Sequence, residues 1–509
     1  MTLAACGGGD EPSKLMAAGA DAPRIAQALG AAPSRAVDRG DGDDPDTTDH
    51  PSDCSPDSGD AMTPTRHAAL ATAFAAVLTA CGGGGDPAPP LPPPPPPGPN
   101  ASLPGEVLVQ LNVGADVNAL VAAYPLGVIE QFGKRPIWRL RVATGTSTDS
   151  VISALRSDAR IRFAEPNFEH ETPEGRRRSG WAVGGDAGSF VAQWAPASVR
   201  LPEAHAHSVG SGIRVAVLDT GIDLAHPALA ARLARTGGGA LLGRDFVDDD
   251  VDPSEVGNIG DIAFGHGTHV AGLVSLVAPQ ATLMPARVLD RSGRGNVWVL
   301  SEALAWAVDP DGNPATDDGA HVINLSLGTT QPTNLLRTAV ALADCDFDDD
   351  DDEFADPGFD DDKARCANKF GAVVIAAAGN DGSDTQLQFP AAEAVPGSLS
   401  VTAHTQQRTL APFANRGAWV EIAAPGEAII STFPGGGYAA WSGTSMATPL
   451  AAGTAALVLA TLPDPRSVLP LDIAQRLLAR SAPLCGSSFR RIDAAAATTD
   501  TQAPEPPCP

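Results

Sequence analysis

Basic side chains are scarce in this sequence: 34 Lys and Arg stand against 61 Asp and Glu, for a formal net charge of -27. That balance excludes a general nucleic-acid-binding surface, because phosphate backbones require clustered cations. The acidity is also local. Residues 38–60, 245–252 and 344–362 carry almost all of it and leave the rest of the chain nearly neutral. Aromatics are few, at 5%, and no CxxC pair or Cys/His cluster occurs, which removes the usual zinc motifs. The 46 prolines and 53 glycines are gathered in a few stretches, unlike those of a fibrous or wholly disordered protein. At 509 residues the chain is too long for one average domain, so two folded units with connectors are expected.

What is present begins inside the chain. From Met62 the sequence reads MTPTRHAALATAFAAVLTAC: a short basic region at Arg66 and His67, an apolar run over 68–78, then Leu78-Thr79-Ala80-Cys81. The run is too short for a permanent membrane span and has the flanks of an export signal. A buried alanine-rich helix is the bland alternative, but no partner element follows it. Leu-Thr-Ala-Cys before Gly82 resembles the lipobox of bacterial lipoproteins, which implies cleavage before Cys81 and acylation of its thiol. Residues 1–61 are then expected to be an over-extended N-terminus, 62–81 the signal, and 82–103 (GGGGDPAPPLPPPPPPGPN within it) a Gly/Pro-rich tether.

Residues 104–168 alternate compactly. GEVLVQL (105–111), GVIEQF (127–132), IWRLRVA (137–143) and RIRFAEPN (160–167) read as strands; ADVNALVAAY (115–124) and TDSVISALRSD (148–158) read as helices. This order is a split βαβ unit, with two helices over one face of a four-stranded antiparallel sheet. A polar, glycine-rich connector with three consecutive arginines is expected over 169–190. From 191 to 497 near-continuous apolar runs (213–219, 281–289, 321–327, 372–378) alternate with helical segments such as 297–308 and 334–343. The expected fold class is therefore α/β, a doubly wound and mostly parallel sheet preceded by a small α+β domain, with a tail over 498–509. Sites in such sheets sit at the carboxyl ends of strands.

Three motifs fall at those places. Asp219 ends VAVLD, His266 opens HGTHVAGLV, and Ser445 lies in SGTSMATP before an apolar helix. Alone, an Asp or Ser at such a position is as well explained as a helix or turn cap. Together, in the order Asp, His, Ser, the segments VAVLDTGID, HGTHVAG and GTSMATP resemble the subtilisin-like serine peptidases (the subtilase, or peptidase S8, family) over about 191–495. The resemblance implies a catalytic triad of Asp219, His266 and Ser445. A serine hydroxyl needs a base within reach, the role falling to His266, while Asp219 fixes and stabilises the imidazole. His269, one turn on, is the competing base; the family pattern gives that role to the first histidine and leaves His269 to packing. AAAGNDG (376–382) implies an oxyanion donor at Asn380, against a plain Gly-Asn turn. Ser326, Leu327 and Gly328, with Ala377, Ala378 and Gly379 opposite, are implied as walls that pair with an extended peptide, with an apolar side chain before the cut.

No cofactor is needed for such catalysis. DFVDDDVDP (245–253) resembles a calcium loop of some members, which makes Asp248, Asp250 and Asp252 candidate ligands for a structural calcium. The family's commoner site is weakened here, because His226-Pro227-Ala228-Leu229 has alanine at its acidic position. The run 344–362 lacks EF-hand spacing and reads as a solvated insertion. Cys345 and Cys366 bracket it as an expected disulfide; Cys485 and Cys508 form a weaker second pair. The split βαβ unit resembles the family's inhibitor-type propeptide, which implies a zymogen whose small domain docks by its sheet and lays the chain after Phe163 through the cleft. The expected protein is thus an exported serine endopeptidase of a bacterial envelope or medium, lipid-anchored or free. It would act as a monomer on protein and peptide substrates, with its own propeptide as inhibitor. A catalytically silent binding module would be expected to lose Ser445, His266 or Asn380, and an autotransporter passenger would need a barrel after residue 497.

Overall fold

The computed structural model describes residues 101–177, 182–345, 347 and 354–509. The expected N-terminal extension, export segment, Cys81 and the tether up to residue 100 lie outside the described residues, as does much of the acidic run; the tether ends earlier than the expected 103, because Ser102 and Leu103 already belong to the first strand.

In the small domain, β1 (Ser102–Leu111) turns Val107, Val109 and Leu111 to one face and Leu108 to the other, the period-2 consequence of an extended backbone. The first face packs on Leu120 of α1 (Val117–Val121) and on Val151, Ile152 and Leu155 of α2 (Thr148–Leu155). Asp116 and Ser147 cap these helices by accepting backbone N–H groups. α1 stops short of the expected 124 because Pro125 disfavours a helical residue before it. With β2 (Leu126–Gln131), β3 (Ile137–Val142) and β4 (Ile161–Glu171) the sheet is antiparallel in the order β2-β3-β1-β4.

The second sheet, nine-stranded among the described residues, runs Ala482–Pro483, Arg490–Arg491, Ile422–Pro425, Ser398–His404, Val373–Ala377, Val322–Leu325, Arg214–Asp219, Thr282–Arg287, Arg244–Asp245. Every pair is parallel except the first, Ala482–Pro483 with Arg490–Arg491. Alternation again sorts the faces: Val215 and Val217 face the helices His266–Val277 and Thr444–Leu459, while Ala216 and Leu218 face Val297–Val308 and Asn334–Asp344. The small domain adds Leu108, Phe132, Ile137 and Phe163 to the latter core, so it docks by the open face of its sheet.

Three expected boundaries are corrected. Residues 169–190 do not begin as an exposed connector: β4 runs on to Glu171, and His170, Thr172 and Glu174 are buried. The composition misleads because these polar residues meet partners far away in the chain. The larger domain begins before 191, since Ala182–Val183 pairs with Gly437–Trp441. The larger domain runs past the expected 497, since Arg490–Arg491 is a short strand followed by a helix over Ala494–Thr499, and the tail is fastened by a Cys485–Cys508 disulfide.

Candidate active site

Asp219 and His266 come from adjoining ends of two packed layers, a strand of the sheet and a helix that covers it. The strand Arg214–Asp219 ends at the carboxylate, and Gly265, at φ 86, turns the chain so that His266 begins its helix beside it. Asp219 Oδ1 lies 2.7 Å from His266 Nδ1, and both side chains are buried. Ser445 sits in the first turn of the helix Thr444–Leu459, where unpaired backbone N–H groups and the helix dipole favour negative charge. Its Oγ donates to Glu174 Oε2 at 2.6 Å, and the Ser326 carbonyl, 3.2 Å away, is the alternative acceptor of the same hydrogen. Asn380 follows the strand Val373–Ala377 and the left-handed Gly379. Thr444 donates its N–H and its hydroxyl to Asn380 Oδ1, both at 2.9 Å, which turns Asn380 Nδ2 into the pocket.

The pocket holds an anion supplied by the chain itself. Glu174 Oε2 is 3.3 Å from His266 Nε2 as well as 2.6 Å from Ser445, and Glu174 Oε1 accepts from Asn380 Nδ2 at 2.8 Å. Nothing local to Glu174 marked it in the sequence; its role appears only when distant segments meet. Burial opposes charge on His266, but Asp219 and then Glu174 outweigh it and raise its pKa to about 10. Burial likewise pushes the Glu174 carboxyl up, but His266, Ser445 and Asn380 bring it below the ordinary value. His269 belongs to packing. Its Nε2 meets the carbonyls of Ile429 and Ala439, both at 3.1 Å, and burial with the nearby His266 lowers its pKa to about 3.

The expected peptide walls are held by the following contacts. Gly328 exchanges backbone hydrogen bonds with Glu171, at 2.9 and 3.0 Å, and on the other side β4 pairs with Arg294–Asn296. Ser326 Oγ donates to the Ser445 carbonyl, and Leu327 is fully buried beneath the wall. Ala377 and Ala378 are buried opposite, held by Asn415 Nδ2, which donates to the Ala378 carbonyl at 2.9 Å.

The candidate calcium ligands do not converge. Asp248 is spent on Arg287 at 2.5 Å, Asp250 accepts from the Asp252 N–H, and Asp252 accepts from Ser254. Arg287 pairs with both Asp245 and Asp248 and so anchors this acidic loop. Among the described residues the carboxylates that do converge are Asp309, Asp311 and Asp318, with one oxygen each within 4.8 Å of the others. The Oδ1 atoms of Asp309 and Asp318 are buried without a hydrogen-bond partner, and burial, with Asp311 and Asp309 nearby, raises the Asp318 pKa to about 6. An all-oxygen set short of positive charge fits a hard divalent cation.

The sequence matches the model of the subtilase family over residues 210–503 and that of the fervidolysin N-terminal prodomain over residues 96–167. It is 33% identical over 374 residues to a thermophilic serine proteinase of Bacillus sp. (strain AK1), an alignment covering 70% of this chain and 78% of that one. Subtilisin Savinase of Lederbergia lenta is 38% identical over 275 residues (52% and 83% covered), and thermitase of Thermoactinomyces vulgaris is 36% identical over 276 (52% and 81%). With the parallel sheet and a family match over more than half its length, the chain belongs to the subtilase family and is a serine endopeptidase with an N-terminal prodomain.

Proposed function

We propose that the peptidase acts through Asp219, His266 and Ser445, with Asn380 and the Ser445 backbone N–H as oxyanion donors. The observation that carries this reading is the single carboxylate of Glu174 touching Ser445 Oγ, His266 Nε2 and Asn380 Nδ2 at once, with Asp219 behind the histidine. Those three groups surround one anion-sized volume, as acyl transfer requires. In the open site Ser445 Oγ attacks the substrate carbonyl and its proton passes to His266 Nε2. The oxyanion rests against Asn380, and His266 returns the proton to the departing amine. Water then attacks the acyl-enzyme with the same histidine as base, which releases the acid and restores Ser445. Extended substrates would pair with Ser326–Gly328, and Ala377, Ala378 and Gly379 would favour an apolar side chain before the cut.

The domain over 104–168 is read as propeptide and inhibitor of a zymogen. The lipobox-like segment ending at Cys81, followed by its Gly/Pro tether, supports export and lipid anchoring at the cell envelope, and the enzyme is read as a monomer. Asp309, Asp311 and Asp318 would hold a structural calcium, whose charge would neutralise that loop.

Fluorophosphonate labelling tests the central reading. The mature wild type is expected to label at Ser445, and Ser445→Ala to lose labelling and remain an uncleaved precursor. Persistent labelling of the variant would refute it. Asn380→Ala is expected to slow turnover; the scale is borrowed from the known loss of such a donor in subtilisin, about 10²–10³.

A further inference from the structure

The prodomain reaches the pocket with a side chain, not with its main chain. Up to Glu171 the backbone is extended and paired on both sides, and the Thr172 N–H still donates to the Gly293 carbonyl at 3.0 Å. At Pro173 the extended run ends and a helical turn, Pro173–Arg177, begins. A helix advances about 1.5 Å per residue against about 3.3 Å for a strand, so the backbone curls up instead of crossing in front of Ser445. The Glu174 carboxylate fills the place a scissile carbonyl would take. Room for it depends on Gly443, where an added Cβ would stand 1.7 Å from Glu174 Oε1.

We infer that Glu174 is a latch: its carboxylate stands in for the oxyanion against Asn380, Ser445 and His266, silences the precursor without presenting a bond to cut, and must withdraw before the site can work. This rests on the acyl-transfer reading above. The latch blocks in two ways. It accepts the Ser445 proton itself, so that hydroxyl is turned away from the base. It also holds His266, between two carboxylates, as an imidazolium, which has no Nε2 lone pair to accept a proton. No covalent bond forms or breaks. The prodomain as a whole covers the cleft; the charge on this one side chain is what disarms the residues beneath.

The test compares fluorophosphonate labelling rates of full-length wild type, Glu174→Gln and Glu174→Ala precursors, with the processed wild type as control. Glutamine keeps the volume and loses the charge, and hydrogen exchange of the β1–β4 sheet reports whether the prodomain stays docked. With docking retained, both variants are expected to label at least tenfold faster than the wild-type precursor. The second readout is the low-field imidazole N–H resonance of His266. It should persist into alkaline pH in the wild-type precursor and titrate at least one pH unit lower in Glu174→Gln. Docked variants that label as slowly as wild type, or an unchanged His266 titration, would overturn the latch while the processed enzyme still labels. A processed enzyme that fails to label would overturn the acyl-transfer reading, and the latch with it.

Discussion

The Glu165 carboxylate accepts the backbone N–H of Leu335, with Oε1 at 3.0 Å, while its other oxygen takes the N–H and side-chain amide of Asn334, each at 2.8 Å. The prodomain thereby supplies an acceptor to the first turn of a peptidase helix, whose N–H groups have no partner within the helix. Asn167 does the same for the preceding helix, Val297–Val308, its Oδ1 accepting the Trp298 N–H at 3.2 Å. Glu165→Ala should therefore weaken docking without touching the catalytic pocket. A lost cap costs about 1–2 kcal/mol, or about 5- to 30-fold in the inhibition constant of the isolated prodomain. An unchanged constant would show that the cap adds nothing to docking.

A second pair makes docking depend on pH. Glu302 of the helix Val297–Val308 faces Glu130 of β2, with Arg139 and Arg244 nearby. Burial first, then the Glu130 charge, raises the Glu302 pKa from 4.5 to about 8. The docked state thus holds a proton that a solvated Glu302 releases. A bound-state pKa above the free value favours docking fully below about 4.5, and the gain is lost as pH rises through about 8. The inhibition constant of the prodomain should weaken from pH 5 to pH 9, by no more than about tenfold per unit from this group. Glu302→Gln should flatten the profile; an equal slope in wild type and variant would assign the dependence elsewhere.

Much of this architecture was legible in the residues, because its causes are local. The runs IRVAVLD and AVVIAAA have to be buried on both faces, and Asp219, His266 and Ser445 each lie within a short motif at a strand end or helix start. Glu174 was not legible. Its partners His266, Asn380 and Ser445 lie 92, 206 and 271 positions away, and a polar segment before three arginines reads as solvated until those partners are known. The ion pairs of the acidic loop at 245–252 were hidden for a related reason, since carboxylate spacing reveals nothing of Arg287, which comes from another strand to meet Asp245 and Asp248.

The structure joins Cys345 to Cys366, 21 positions apart, across the acidic insertion. A chain-entropy model, itself disputed, puts such a closure at about 3 kcal/mol. Cys366→Ser should lower the melting temperature by several degrees, and non-reducing peptide maps of the wild type should contain the crosslinked pair. Recovery of both thiols free from exported protein would refute the bond.

Asp318 offers a test of the calcium proposal. Its pKa of about 6 lies above the ordinary 3.8, so in the absence of a cation its ionisation destabilises the fold as pH rises through about 6. Added calcium should therefore raise the melting temperature more at pH 7.5 than at pH 5, and chelation should reverse the gain. Asp318→Asn should lose most of that increment. A calcium response equal in the variant would move the ion to another site.

The position of the maturing cut follows from where the chain is held. Residues up to Glu174 are paired or buried in the cleft, and Pro173 starts a helical turn that keeps an extended bond away from Ser445. Cleavage needs an extended segment that can enter a protease site, and polar, glycine-rich stretches are the preferred places for it. The sequence 175–181, GRRRSGW, has that composition and precedes Ala182–Val183, which is already paired into the peptidase body. The mature amino terminus is thus expected between 175 and 194, with Glu174 leaving on the prodomain fragment. Intact-mass analysis of the processed enzyme would locate it. The freed fragment, added in trans, should inhibit the mature enzyme, and the Glu174→Ala fragment should inhibit at least tenfold less. A mature terminus before Glu174, or an uncut full-length chain that hydrolyses a peptide as fast as the processed form, would reject this route to activation.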